Sequence, residues 1–96
     1  MRQTIVARAE LELLFPGCYS LKDRRQVLRS LLERLRHRYN LAAAEVGGQE
    51  HWNHAVIGLA AVSNDQTHAR RILEEAVRFV ENDGRCEIVS CCLACD

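Results

Sequence analysis

"NLAAAEVGGQEHWNHAVIGLAAVS", residues 40–63, contains two apolar runs that follow one another with only a polar, glycine-opened loop between them. The first, "NLAAAEVGG", reads as a short strand stopped by two glycines, which free the backbone for a loop. The second, "HAVIGLAAVS", is apolar at both parities, as suits a strand buried inside a sheet. Two successive strands with no helix between them are what the middle of a split βαβ arrangement requires.

The flanks of this stretch complete the pattern. In residues 4–14, Ile5, Ala7, Ala9, Leu11 and Leu13 alternate with Thr4, Arg8, Glu10 and Glu12, apart from Val6 and Leu14, which predicts a strand with one buried face. "FPGCYS" turns the chain. Ser20 with Asp23 three residues on reads as an N-cap with a partial capping box, opening a helix to about Tyr39. After "SND", Ala69, Ile72, Leu73, Ala76, Val77 and Val80 recur at helical spacing until "NDG". Residues 86–93 make a last strand. The order β-α-β-β-α-β predicts an α+β, ferredoxin-like fold, with two helices on one face of a four-stranded antiparallel sheet and the first and third strands in its middle.

The other sheet face then stays open. It is expected to carry Arg8, Glu10, Glu12, Glu45 and Glu87, with one apolar parity of the third strand at its centre, either Val56, Gly58, Ala60 and Val62 or Ala55, Ile57, Leu59 and Ala61. Leaving that apolar strip in water is unfavourable, so a homodimer through the open face is expected.

Ninety-six residues, 48% apolar and 27% charged, suit one globular domain spanning 1–96 and are too few for a catalytic domain plus a substrate domain. The start, "MRQTIVARAELELLF", is interrupted by Arg8, Glu10 and Glu12, unlike a signal peptide, and no apolar run approaches the roughly 20 residues of a membrane span. A cytoplasmic protein with no membrane partner is expected. The odd number of cysteines, Cys18, Cys86, Cys91, Cys92 and Cys95, then reads as free thiols. Cys92 and Cys95 form a C-x-x-C that with Cys91 and Cys86 could bind zinc. Strand geometry, however, sends Cys91 and Cys95 to one face and Cys92 to the other, so small apolar filler is the expectation, with no metal and no cofactor.

The formal net charge is zero, yet "SLKDRRQVLRSLLERLRHRY", residues 20–39, holds seven of the thirteen Lys and Arg side chains. On a helical wheel Leu21, Leu28, Leu31, Leu32, Leu35 and Tyr39 form the buried stripe. Lys22, Arg25, Arg29 and Arg36 align along one flank, Arg34 and Arg38 lie on the other, and Arg24 sits close to the apolar stripe. Arginines spaced by helical turns can meet successive phosphates, and guanidinium binds them bidentately. A merely solvated outer face and a protein contact are the competing readings.

The central strands carry none of the aromatics on which the RNA-recognition motif stacks bases, and the acids on the open face repel phosphate, so RNA contact is expected from the helix side. Trp52, in the loop "GGQEHWNHA", either stacks a base beside Gln49, His51 and His54 or closes the end of the core. Glu50, His51 and His54 hint at acid-base or metal chemistry, but H-x-x-H without helical context and a third ligand is weak. There is no Gly-rich phosphate loop, nucleophile elbow or paired-carboxylate signature, and "FPGCYSLKDRR" is not an acylphosphatase anion loop.

"SLKDRRQVLRSLLERLRHRYN" followed by "AEVGGQEHWNHAVIGLAAVSND" resembles the YlxP-like family of small bacterial proteins, through Ser20, Leu21, Lys22, Arg24 and Arg25 in one block and Glu45, Gln49, Trp52, Ala55, Gly58, Ser63, Asn64 and Asp65 in the other. The resemblance implies a ferredoxin-like fold and genes that neighbour those for translation initiation and ribosome maturation. It names no reaction. The cysteine-rich tail departs from the pattern. The expectation is a non-enzymatic binding module with RNA or a ribosomal particle as partner, contacted by Lys22, Arg24, Arg25, Arg29, Arg36 and Trp52. The alternatives are a protein-interaction or self-assembling domain and a small hydrolase using His51 or His54.

Overall fold

In a computed structural model, which describes residues 3–48 and 51–95, the elements follow the expected order. They are β1 (Ile5–Leu14), α1 (Leu21–Arg38), β2 (Ala42–Gly47), β3 (His54–Ser63), α2 (Gln66–Glu81) and β4 (Glu87–Cys95). The four strands form one antiparallel sheet in the order β2-β3-β1-β4, the ferredoxin-like arrangement with β1 and β3 inside. No helix among the described residues is long and apolar enough to cross a membrane.

The alternation of β1 is carried directly into the sheet. Ala7, Ala9, Leu11 and Leu13 are buried and lie opposite Ala61, Leu59, Ile57 and Ala55 of β3. That register resolves the ambiguity of the third strand, because the parity with the bulkier Ile57 and Leu59 removes more apolar area from water when it faces the helices. Val56, Gly58, Ala60 and Val62 take the open face. Leu28, Leu31, Leu32 and Leu35 of α1 and Ala69, Leu73, Ala76 and Val80 of α2 close the core above it.

The Ser20 hydroxyl caps α1 by accepting from the Asp23 amide at 3.1 Å. The Asp23 carboxylate reaches one residue further back than in a capping box and accepts from the Tyr19 amide at 3.3 Å. Asp65 caps α2 through the Thr67 amide.

Three expectations need correction. Glu45 is not on the open face: it lies opposite Ile57, on the helix side, because it shares parity with the buried Ala43. Trp52 does not close the core; it is 53% exposed. The last strand runs on to Cys95, pairing with β1 across a register shift between Glu12 and Leu13. The cysteine tail is thus regular strand, with Cys91 opposite Leu11 and Cys92 opposite Glu10, on opposite faces. Gln49 and Glu50 lie outside the described residues.

Candidate nucleic-acid interface

The seven cations of α1 divide into four environments. Arg24 is 2% exposed and spends its guanidinium internally. Its Nε donates to the His54 carbonyl at 2.7 Å, and its Nη2 donates to the Gly48 carbonyl at 2.9 Å and to the Glu45 carboxylate. A buried guanidinium is tolerated only when its donors are met and its charge is paired, and both conditions hold here. Arg24 therefore cannot grip an external phosphate. It ties the β2–β3 loop to the first turn of α1.

Arg36 donates through Nε to the Ala43 carbonyl at 3.0 Å, covering a backbone acceptor on the free edge of β2. That bond locates its whole flank of α1 along the β2 edge. Lys22, Arg25 and Arg29 share the flank by helical spacing, are exposed, and make no hydrogen bond or ion pair among the described residues. The ridge read from the wheel is thus three unpaired cations and a fourth engaged with the backbone.

The loop held by Arg24 is built on Gly48, whose φ of 76° lies in the left-handed region. A Cβ there would sit 3.0 Å from Ala55 Cα and from His54 Nδ1. The Gly48 carbonyl also accepts from the His51 amide at 3.2 Å. His54 meets Glu12 Oε1 through Nε2 at 2.8 Å, and its ring meets that of His51 edge-on with centroids 5.6 Å apart. No serine, threonine or cysteine among the described residues bonds to either imidazole, and no group of three or more His, Cys, Asp or Glu there could hold a metal ion. Trp52 stands half exposed at the same tip.

The remaining α1 cations, Arg34 and Arg38, face α2 across a groove of about 750 Å³. The Arg38 guanidinium lies 5.5 Å from the Phe79 ring centroid and 5.9 Å from that of Tyr39, within cation–π range. The two rings meet edge-on at 6.0 Å. At one end, Asp83 accepts from Arg85 Nε at 2.9 Å and Nη2 at 2.7 Å. The hydrogen bonds from Arg85 hold the Asp83 carboxyl below the usual range against the opposing effect of burial, with Arg34 adding a smaller electrostatic pull. Sequence reading missed this groove because Phe79 lies forty-one positions from Arg38; its signal was an aromatic beside Arg78 on the second helix.

The thiols are single groups. Cys18 and Cys86 are buried, and burial pushes Cys86 up to about 11, so it stays a thiol at neutral pH.

Comparison with known proteins gives matches over nearly the whole length. A family described as "Protein of unknown function (DUF503)" matches residues 6–92. The "Uncharacterized protein YlxP" of Bacillus subtilis (strain 168) is 30% identical over 78 residues, 81% of this chain and 85% of that protein. Among solved structures, the de novo designed protein Foldit4 aligns with a TM-score of 0.58 at 9% identity, covering 98% of this chain and 97% of that one. A C-terminal segment of the alpha subunit of aIF2 from Pyrococcus abyssi aligns with a TM-score of 0.52 at 17% identity, covering 97% and 51%. At such identities these two likenesses bear on the fold alone.

Proposed function

Because the chain belongs to the DUF503 family, whose function is unknown, its role has to be read from its own surface, and we propose that it is a non-enzymatic RNA-binding module of the kind that attends ribosomal particles. The observation that carries this reading is the set of Arg24 bonds. They hold the Trp52 loop to the turn of α1 that bears Lys22 and Arg25, joining a stacking group to a row of unpaired cations. Such a surface grips the sugar-phosphate backbone by charge and tolerates many sequences, as single-strand binders do. Arg24 is then a positioning residue.

The test is fluorescence anisotropy of labelled single-stranded RNA over a salt series. Binding that weakens with salt, and that Arg25→Glu with Arg29→Glu weakens for all sequences alike, supports the reading. Equal binding by the parent and the double variant overturns it.

A second reading, a self-associating domain, is favoured by the exposed apolar residues Val46 and Val62, 53% and 58% accessible, on the uncovered face.

A further inference from the structure

The groove beside α1 and Phe79 of α2 is lined by none of Lys22, Arg25 and Arg29, although Arg36 reaches its rim, and those three cations leave it unused. Its chemistry is of mixed sign. Arg34, Arg36, His37 and Arg38 line it, Phe79 supplies an aromatic floor, and Glu33 also reaches the same space. Arg78 and Glu75 continue it around Phe79. Arg34, Arg36, Arg38 and Arg78 outnumber Glu33 and Glu75, so the space attracts an anion while keeping two hydrogen-bond acceptors. A ligand that pairs an anion with a flat ring bearing amine donors meets the cations, the aromatic and the glutamates together.

The arrangement of Arg38 decides what kind of ring fits. Its side chain is exposed, and its guanidinium lies 5.5 Å from the Phe79 ring centroid and 5.9 Å from that of Tyr39, so the cation rests against both rings at the edge of the groove. Bases stack on arginine planes as they do on aromatics. Arg34, one helical turn before Arg38, is exposed and makes no hydrogen bond or ion pair among the described residues, which leaves its fork for a phosphate. Glu33 can accept from an exocyclic amine.

We infer that the α1–α2 groove is a nucleotide site, which stacks the base of one nucleoside monophosphate unit on the Arg38–Phe79 pair and holds its phosphate with Arg34. The unit comes either from single-stranded RNA or from the free nucleotide pool. The site does not depend on the Lys22–Arg29 ridge, so each can fail without the other.

The test is an amide NMR titration of the full chain with AMP, GMP, adenosine and ribose 5-phosphate. Saturable shifts should appear in residues 33–38 and 78–82, with AMP or GMP binding about tenfold or more tighter than ribose 5-phosphate, the ratio that stacking one base supplies. Arg38→Ala should remove that advantage, whereas Arg34→Ala should weaken AMP and ribose 5-phosphate alike. Phe79→Leu keeps an apolar side chain on the core and should also lower the advantage. Arg25→Glu with Arg29→Glu should leave AMP affinity unchanged. Displacement of AMP by a hexa-adenylate identifies RNA as the source, and retention of AMP identifies the free nucleotide; both outcomes support the site. Shifts confined to the ridge, no saturation at millimolar nucleotide, or parental binding by Arg38→Ala would overturn it.

Discussion

Arg24 of α1 and Glu45 of β2 form an ion pair across the helix face of the sheet, with Arg24 almost wholly buried and Glu45 about a quarter exposed. The same guanidinium satisfies the carbonyls of Gly48 and His54, so one side chain ties together the residues at the end of β2 and the start of β3. Arg24→Met would leave a carboxylate and two backbone acceptors without their donor. A loss of about 3–5 kcal/mol of stability is expected in urea unfolding, and an unchanged midpoint would show that the pair does not hold the loop. Arg24→Glu should be worse, since it sets two carboxylates together.

Gly48 is the second fixed point of that loop. Gly48→Ala forces a β-carbon into the left-handed region, at roughly 1–2 kcal/mol, and brings it to 3.0 Å from Ala55 Cα, which is backbone and cannot swing aside. Thermal unfolding should show a clear drop in Tm with the fold otherwise retained. A Tm equal to the parent's would mean that the loop adopts another conformation.

With three cations on the ridge that are unpaired among the described residues, the log–log salt dependence of single-stranded RNA binding should have a slope of about 2, at roughly 0.7 per contact. Arg25→Glu with Arg29→Glu should bring it below about 1. Trp52→Ala separates stacking from packing: Trp52 is outside the core, so unfolding should move by no more than about 0.5 kcal/mol, while affinity falls by about 1–3 kcal/mol if the ring stacks a base. A large stability loss with unchanged affinity would reverse both assignments.

The open sheet face makes a separate prediction. Val62 is exposed at the end of β3, so Val62→Glu should not disturb folding. If a second copy covers this face, sedimentation of the parent at high micromolar concentration should show a dimer and that of Val62→Glu a monomer. A monomeric parent removes the self-association reading.

Acid should find Asp83. Its folded-state carboxyl titrates below the ordinary aspartate range because Arg85 donates to both oxygens. The stabilisation is therefore fully present above about pH 4, where the unfolded carboxyl is already ionised, and is lost as pH falls through the lower folded value. Asp83→Asn should cost about 2 kcal/mol at neutral pH and flatten the stability curve below about pH 4. Parallel curves for parent and variant would show that the pair adds nothing.

Local patterning carried most of the architecture. The alternation of β1, the Ser20 and Asp65 caps and the helical spacing of Ala69 to Val80 depend on neighbours within a turn or a strand, and each is found where the chain alone places it. Only the tertiary structure decided the rest, because it depends on residues far apart in sequence. β3 is apolar at both parities, so no local signal says whether Ile57 or Val56 turns inward; pairing with Leu11 and Glu12 of β1 does. The wheel sets Arg24 beside the apolar stripe but cannot name its partners, because Glu45, Gly48 and His54 lie 21 to 30 positions later. The Arg38–Phe79 contact exists because both helices cover the same sheet face, and no period within either helix can express a neighbour across the gap.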